Sequence, residues 1–157
     1  MITCTFENGN GASLRHITVG AIALNEKSQI LLVKRASQLS RGNKYTIPGG
    51  FLDRDETIQQ AVLREFQEET GYQGNIKMLF RINDNPQRPN EDRQNVDVLY
   101  IVDIISGEKT LNEEVAEIAW FDKKDIPTKE EFAFDHRESI LRYFDYLENS
   151  FVLPIIG

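Results

Sequence analysis

The stretch GGFLDRDETIQQAVLREFQEETGY, residues 49–72, decides most of what this sequence predicts. It holds six acidic side chains, and three of them, Glu65, Glu68 and Glu69, are spaced to project from the same side of a helix within one turn. Clustered carboxylates repel one another, so they indicate either a solvated helix face or a site for a hard divalent cation. We expect the cluster on the solvent-facing side of the helix.

The rest of the stretch has the pattern of an amphipathic helix over residues 57–70. Its apolar positions recur at spacings of three and four, which places them on one face; they are Ile58, Ala61, Val62 and Phe66. Gly71 follows as a C-cap residue, and the glycines at 49 and 50 precede the acidic segment as a turn.

The flanking sequence predicts strands and one more helix. Residues 16–25 and 29–34 are β-branched runs around a polar turn, which predicts a hairpin. Further strands are predicted over residues 76–82, 95–105 and 115–121, and the first two of these are joined by the polar loop NDNPQRPNED. Asp135 and Glu138 form a D-x-x-E capping box ahead of a second amphipathic helix. Strands with two interspersed helices predict an α/β fold whose mixed sheet is covered on both faces.

Composition limits the class of protein. A chain of 157 residues with 40% hydrophobic content predicts one domain. The formal net charge of −7 argues against a nucleic acid or an anionic membrane as partner, because both require clustered Lys and Arg. The single cysteine, Cys4, and an N-terminal segment without a secretory apolar stretch predict a cytoplasmic protein. The two histidines, His16 and His136, are expected to be structural.

The spacing within residues 50–72 resembles the Nudix box, G-x5-E-x7-R-E-U-x-E-E-x-G-U, in which U is a large hydrophobic residue. The matching positions are Gly50, Glu56, Arg64, Glu65, Glu68, Glu69 and Gly71. Phe66 and Tyr72 stand where the family usually has aliphatic residues, and both are large hydrophobes. The segments KYTIPGG and EIAWFDKKDIP also resemble the family, so the similarity covers most of residues 16–147, with residues 1–15 as an N-terminal extension.

This resemblance implies a Nudix α/β/α sandwich with a loop-helix-loop active site that hydrolyses a nucleoside diphosphate linked to another moiety. It also implies Mg²⁺ or Mn²⁺ as cofactor, because metals neutralise the diphosphate and lower the pKa of bound water. The metal ligands carried over by position are Glu65, Glu68 and Glu69 with the backbone carbonyl of Gly49 or Gly50, and the residues that brace the loop are Glu56 and Arg64.

The general base varies within the family between a box glutamate and a glutamate on a later loop. In the run LNEEVAEIAW, Glu114 lies just before the strand begins and can reach over the metal cluster, whereas Glu117 is fixed within the strand. The prediction is therefore Glu114, with Glu68 as the alternative within the box.

The Nudix box accounts for the diphosphate only, so residues outside it must determine which substrate is bound. Pro86 lies fifteen residues after Gly71, which resembles the ADP-ribose pyrophosphatase subgroup, as does the segment AFDHR. The predicted product pair is AMP and ribose 5-phosphate; the alternatives are hydrolysis of an oxidised nucleoside triphosphate and a Nudix domain that binds a nucleotide without cleaving it. The residues expected to meet phosphate or ribose are Arg35, Arg81, Arg88 and Arg93, and those able to stack on a base are Tyr45, Phe51 and Phe80. The resemblance also implies a homodimer.

Overall fold

The computed structural model describes residues 2–88 and 94–157. The described residues contain ten strands and two α-helices, together with 3₁₀ turns at Lys123–Asp125 and Lys129–Glu131. Their bounds are β1 Ile2–Thr5, β2 Gly11–Leu14, β3 Ile17–Ala23, β4 Ile30–Arg35, β5 Tyr45–Thr46, β6 Gly49–Phe51, α1 Ile58–Thr70, β7 Tyr72–Asn83, β8 Val96–Gly107, β9 Val115–Phe121, α2 His136–Asn149 and β10 Ile155–Ile156. No helix among the described residues is long and apolar enough to cross a membrane.

The strands form three sheets. The largest has the order β10-β7-β8-β3-β6 and is mixed, because β3 runs parallel to β8 and β10 parallel to β7 while the other pairs are antiparallel. A second sheet has the order β5-β4-β9, and β1 pairs with β2 in a separate hairpin. The segment expected as an N-terminal extension thus carries this hairpin.

Helices α1 and α2 cover opposite faces of these sheets, as the strand pattern shows. Along β8, Val98, Tyr100 and Val102 face the core that contains α1, whereas Leu99 and Ile101 face the core that contains α2. This alternation is the period of two that a strand buried on both faces requires. The predicted α/β/α sandwich is confirmed.

The predicted hairpin of residues 16–25 and 29–34 is wrong in its pairing. Strand β3 has β8 on one side and β6 on the other, and β4 lies between β5 and β9. The two strands therefore belong to different sheets and meet through a single bridge between Leu24 and Ile30. Strand β6, with its two glycines, pairs with residues 18–20 of β3 and lies at the edge of the large sheet.

The predicted capping box of α2 is also wrong. Asp135 is the N-cap residue, but its side chain makes no capping hydrogen bond. Its carboxylate instead accepts hydrogen bonds from Arg88 (Nε to Oδ2 2.9 Å, Nη2 to Oδ1 2.5 Å) and from Asn83 Nδ2 (2.8 Å). A bidentate charge-assisted bond is stronger than a bond to a neutral backbone N–H, so the arginine takes the carboxylate.

Candidate active site

The acidic helix α1 is held in place at both ends and along its apolar face. Thr57 Oγ1 accepts a hydrogen bond from Gln60 N, and Gln60 Oε1 accepts one from Thr57 N, which completes a capping box. Gly71 ends the helix in the left-handed conformation at φ 78°. Ala61, Val62 and Phe66 are buried in the core, so the opposite side of the helix faces β6 and the loop before β9.

The glutamates of α1 line a cavity of about 660 Å³. Its lining consists of Arg35, Gly49, Gly50, Phe51, Asp53, Glu65, Glu68, Glu69, Asn112, Glu113 and Glu114. The structure thus brings the predicted metal ligands together with Glu114, the predicted base, and with Arg35, a predicted substrate contact. Five glutamates on one cavity give it a strongly negative wall.

The loop that carries Glu114 is tied to the end of α1 by Asn112. Asn112 Nδ2 donates to the carbonyl oxygen of Glu68 (2.8 Å), and Asn112 Oδ1 accepts from the backbone N of Glu114 (2.9 Å). The backbone oxygen of Glu114 in turn accepts from Ala36 N (2.8 Å). These bonds fix the position of the Glu114 backbone at the cavity while its side chain stays exposed.

Glu69 is buried, which corrects the expectation that the whole cluster faces solvent. The residue is 5% exposed, and its Oε2 accepts a hydrogen bond from the backbone N of Gly49 (2.8 Å). Burial raises the pKa of Glu69 to about 8, against the opposing effect of the Gly49 hydrogen bond. Burial also raises the pKa of Glu65. Both carboxylates lie where a cation would stabilise their charged forms.

Close approach explains the glycines of β6. A Cβ on Gly50 would lie 2.4 Å from Glu65 Oε1, so only a glycine lets this carboxylate rest against the strand. A Cβ on Gly49 would lie 2.1 Å from the backbone oxygen of Val19 on β3. The pair therefore allows α1, β6 and β3 to pack with no side chain between them.

Arg64 connects the loop before α1 to the acidic cluster. Its guanidinium donates to both carboxylate oxygens of Glu56 (3.0 and 2.7 Å), to Glu65 Oε1 (2.8 Å) and to Glu68 Oε2 (3.2 Å). It also donates to the carbonyl oxygen of Phe51 (3.2 Å). The Glu56 hydrogen bond raises the pKa of Arg64, and Arg64 lowers the pKa of Glu56. These contacts are those expected of a residue pair that braces the loop.

The donor set fits a hard divalent cation. Within residues 2–88 and 94–157, no three acidic, histidine or cysteine side chains already converge at metal-binding distance. The reason is that Arg64 holds Glu65 and Glu68, while Gly49 N holds Glu69. Carboxylate oxygens are nevertheless the ligands that Mg²⁺ and Mn²⁺ prefer, and three of them stand on one wall of the cavity. A cation held by Glu65, Glu68 and Glu69 would add to the partial neutralisation that Arg64 provides.

A second cavity, of about 420 Å³, adjoins the acidic one. It is lined by Thr18, Val19, Arg35, Ser40, Arg41, Thr46, Gly49, Gly50, Phe51, Arg88, Asn95, Asp97, Phe134 and His136. The two cavities share Arg35 and the three residues of β6. They form one cleft with an acidic half and a half lined by aromatic, basic and amide side chains.

Phe134 is a cavity residue that the sequence did not identify as such. The guanidinium groups of Arg35 and Arg41 lie 5.6 and 5.5 Å from its ring centroid, within cation–π range. Its φ of 57° is uncommon for a bulky side chain, and such strain often marks functional sites. The signal that could have identified it is the AFDHR segment, in which Phe134 is the second residue.

Of the three aromatic residues expected to be able to stack on a base, Phe51 alone lines the cavities among the described residues. Phe80 is fully buried, with its ring 5.4 Å from that of Tyr143 on α2. Tyr45 packs edge-on against Phe121 instead. Phe51 and Phe134 are therefore the two aromatic rings available to a ligand in the smaller cavity.

Of the other predicted substrate contacts, Pro86 and Arg81 are not among the described residues that line the two cavities. Pro86 is exposed, and the described residues that line the two cavities do not include it. Arg93 falls outside the described residues. Arg81 is buried and donates to Ser139 Oγ (2.9 Å) and to the Gly157 carbonyl oxygen (2.9 Å). Arg88 lines the cavity but is paired with Asp135. Arg35 is thus the predicted arginine that reaches both halves of the cleft.

Comparison with known proteins gives three findings. Residues 14–143 match the family model described as the NUDIX domain. An ADP-ribose pyrophosphatase of Methanocaldococcus jannaschii is 33% identical over 129 residues, which are 82% of this chain and 73% of that protein. An 8-oxo-dGTP diphosphatase of Escherichia coli is 46% identical over 55 residues, 35% of this chain and 42% of that protein.

This chain is also similar to a solved structure that contains a ligand. That structure is the NUDIX domain of Shewanella oneidensis NrtR complexed with ADP ribose, which superposes with a TM-score of 0.71 at 26% identity. The match covers 85% of this chain and 89% of that one.

Proposed function

Because this chain belongs to the Nudix hydrolase family and is a pyrophosphohydrolase, we propose that its substrate is ADP-ribose, cleaved to AMP and ribose 5-phosphate. The observation that carries the proposal is the divided cleft. Its acidic half suits a metal-bound diphosphate, and the adjoining half of about 420 Å³ has the size and lining of a nucleoside pocket. The similarity to an ADP-ribose pyrophosphatase over most of the chain supports this choice.

We assign the metal, Mg²⁺ or Mn²⁺, to Glu65, Glu68 and Glu69, with the backbone carbonyl of Gly49 or Gly50. When bound, the metal neutralises the diphosphate and lowers the pKa of a coordinated water. Glu69 is fixed by the Gly49 hydrogen bond, and Glu65 and Glu68 are oriented by Arg64 until they bind the cation.

The other residues of the acidic half have separate roles in this proposal. Glu114, whose exposed side chain lines the same cavity, accepts the proton of the attacking water. Arg35 stands where the two halves meet, so its guanidinium is placed to bind a phosphate between them. Glu56 and Arg64 keep the loop from Phe51 to the start of α1 closed over the site.

The competing substrate is an oxidised nucleoside triphosphate, favoured by the 46% identity to an 8-oxo-dGTP diphosphatase. That match spans 35% of this chain, whereas the ADP-ribose pyrophosphatase match spans 82%. The ADP-ribose pyrophosphatase match thus covers more than twice as much of this chain, and we therefore prefer ADP-ribose.

A substrate panel tests the proposal. ADP-ribose, other nucleoside diphosphate derivatives and nucleoside triphosphates including 8-oxo-dGTP are compared at equal concentration with Mg²⁺, and kcat/KM is measured for each. We expect ADP-ribose to be preferred by tenfold or more, with AMP and ribose 5-phosphate as the products identified by chromatography. A tenfold preference for any triphosphate would overturn the substrate while leaving the metal chemistry in place.

We also propose that residues 1–157 work as one cytoplasmic domain that forms a homodimer. Strand β10 pairs with β7, so the C-terminal segment packs on its own sheet and presents Val152 (91% exposed) and Ile156 (64% exposed) to a second subunit. Light scattering after size exclusion is expected to give twice the 18.1 kDa monomer mass. Replacing Val152 by Glu should shift the mass toward the monomer, and an unchanged mass would exclude this surface.

A further inference from the structure

The wall of the smaller cavity contains a buried carboxylate with one oxygen unoccupied. Asp97, on β8, has a side chain that is 4% exposed. Its Oδ1 accepts a hydrogen bond from Thr18 Oγ1 on the neighbouring strand β3 (3.0 Å). Its Oδ2 is buried and accepts no hydrogen bond from any residue that the structure describes. Buried acceptors are almost always bonded, so an unbonded oxygen in a cavity wall indicates that a ligand supplies the donor.

The neighbouring Arg88 partly neutralises the charge of Asp97 but does not donate a hydrogen bond to Oδ2. Arg88 Nη2 lies 3.8 Å from Asp97 Oδ2, beyond hydrogen-bonding distance. The same guanidinium makes its short bonds to Asp135, at 2.9 and 2.5 Å. Arg88 therefore helps to stabilise a carboxylate inside the cavity wall, while Asp97 Oδ2 keeps no hydrogen-bond donor among the described residues.

A second acceptor stands beside the first. His136 Nε2 lies 3.7 Å from Asp97 Oδ2, and His136 Nδ1 lies 2.5 Å from Thr46 Oγ1. We assign the hydrogen between Thr46 and the ring to Nδ1, because the Thr46 hydroxyl is also placed to donate to the Ile47 carbonyl oxygen (3.0 Å). Burial lowers the pKa of His136, which favours the neutral imidazole. Its Nε2 then carries a lone pair, next to the free oxygen of Asp97.

We propose that Asp97 Oδ2 and His136 Nε2 together bind the exocyclic amino group of a nucleobase, so that the pocket selects amino-bearing bases over bases with a carbonyl or hydrogen at that position. An amino group has two N–H donors, one for each acceptor. A carbonyl oxygen would face two acceptors and leave both unpaired, which is the arrangement that gives strong discrimination. Phe51 and Phe134 line the same cavity and offer rings against which the base can pack.

This inference rests on the proposed function only in requiring that the smaller cavity holds the nucleoside of the substrate. The test therefore uses two scaffolds, the diphosphate joined to ribose and the triphosphate, each carrying adenine, guanine or hypoxanthine. Hypoxanthine is the common reference, because it lacks the 6-amino group of adenine and the 2-amino group of guanine. The measurement is the ratio of kcat/KM for each amino base to that for hypoxanthine.

For the wild type we expect a ratio of about ten or more for at least one amino base on the scaffold that is cleaved. In Asp97→Asn the side chain keeps its size but presents a donor, and we expect the ratio to fall to about one. The matched control is Asp103→Asn, on the same strand but exposed and paired with Lys77, which should retain the wild-type ratio. A further test needs only the wild type. Substrates whose preferred amino group is dimethylated have no N–H donor there, so their kcat/KM should be close to that of the hypoxanthine substrate.

Failure of this inference and failure of the proposed function have different signatures. If triphosphates are cleaved and ADP-ribose is not, the proposed substrate is wrong and the base ratio remains measurable. If neither is cleaved, calorimetric affinities for AMP, GMP and IMP replace the kinetic ratio. Equal treatment of hypoxanthine and both amino bases by the wild type, or an unchanged ratio in Asp97→Asn, would overturn the role assigned to Asp97 and His136.

Discussion

Replacing Glu69 by glutamine is expected to lower kcat/KM by at least about a hundredfold at saturating Mg²⁺, equivalent to roughly 2.7 kcal/mol in the barrier. Glu69 is the most deeply buried of the three box carboxylates and is fixed against the glycine turn by Gly49 N. Glutamine preserves the size of the side chain but removes the negative charge that a cation requires. Steady-state kinetics across a Mg²⁺ titration measures the effect.

The same variant separates a metal ligand from a structural residue. A neutral side chain at this buried position removes the cost of burying a charge, so the metal-free melting temperature should not fall. Mg²⁺ should raise the melting temperature of the wild type, as any ligand specific to the folded state does, and should not raise that of Glu69→Gln. Glu148→Gln, an exposed change on α2, is the control. Activity within tenfold of wild type in Glu69→Gln would rule out the metal role.

The second large effect is expected for Glu114→Gln, with kcat lowered by about 10²–10⁴-fold, the range typical of a lost general base. Glu114 lines the acidic cavity together with the three box glutamates, on a loop that Asn112 ties to the end of α1. The amide cannot accept the proton of the attacking water. Because this role concerns the chemical step, KM should change little.

Neighbouring glutamates provide the controls for this prediction. Glu113→Gln changes the charge of the same cavity wall, so it separates a general electrostatic effect from a proton acceptor. Glu117 accepts a hydrogen bond from the Tyr45 hydroxyl and pairs with Lys34, and its Gln variant should keep the wild-type kcat. Wild-type turnover in Glu114→Gln, with loss in Glu68→Gln, would transfer the role of base to Glu68.

The elements predicted well from the sequence are those specified by local patterns. Helix α1 was expected over residues 57–70 and occupies Ile58–Thr70, because its capping residues, its apolar face and its terminal glycine all lie within the segment. The contact between Glu56 and Arg64 is also local in sequence, because Glu56 lies in the loop just before the N-cap Thr57 and Arg64 reaches back to it from the second turn of the helix. The strands β8 and β9 likewise follow from apolar runs.

The missed features depend on contacts between distant segments. The edges of β3 are filled by β8 and β6, and nothing in residues 16–34 encodes those partners. The local sequence predicts that the Asp135 side chain caps α2. Its carboxylate is bound instead by Arg88, which lies 47 positions earlier in the chain and so outside any local pattern. The place of His136 beside Asp97 also depends on the packing of α2 against β8. Burial of Glu69 likewise arises from β6, twenty residues before it.

The border shared by the two cavities affects how the substrate specificity of such a protein can change during evolution. In the proposed arrangement the chemistry lies on α1 and the loop at 112–114, whereas the side chains assigned to the base come from β3, β8 and residues 134–136. Two of the three residues of β6 that join them are glycines, so this boundary is built largely of backbone. Mutations can therefore accumulate in the base-facing half without altering the carboxylates. Selection can then change which nucleotide is recognised while the hydrolytic apparatus is inherited intact.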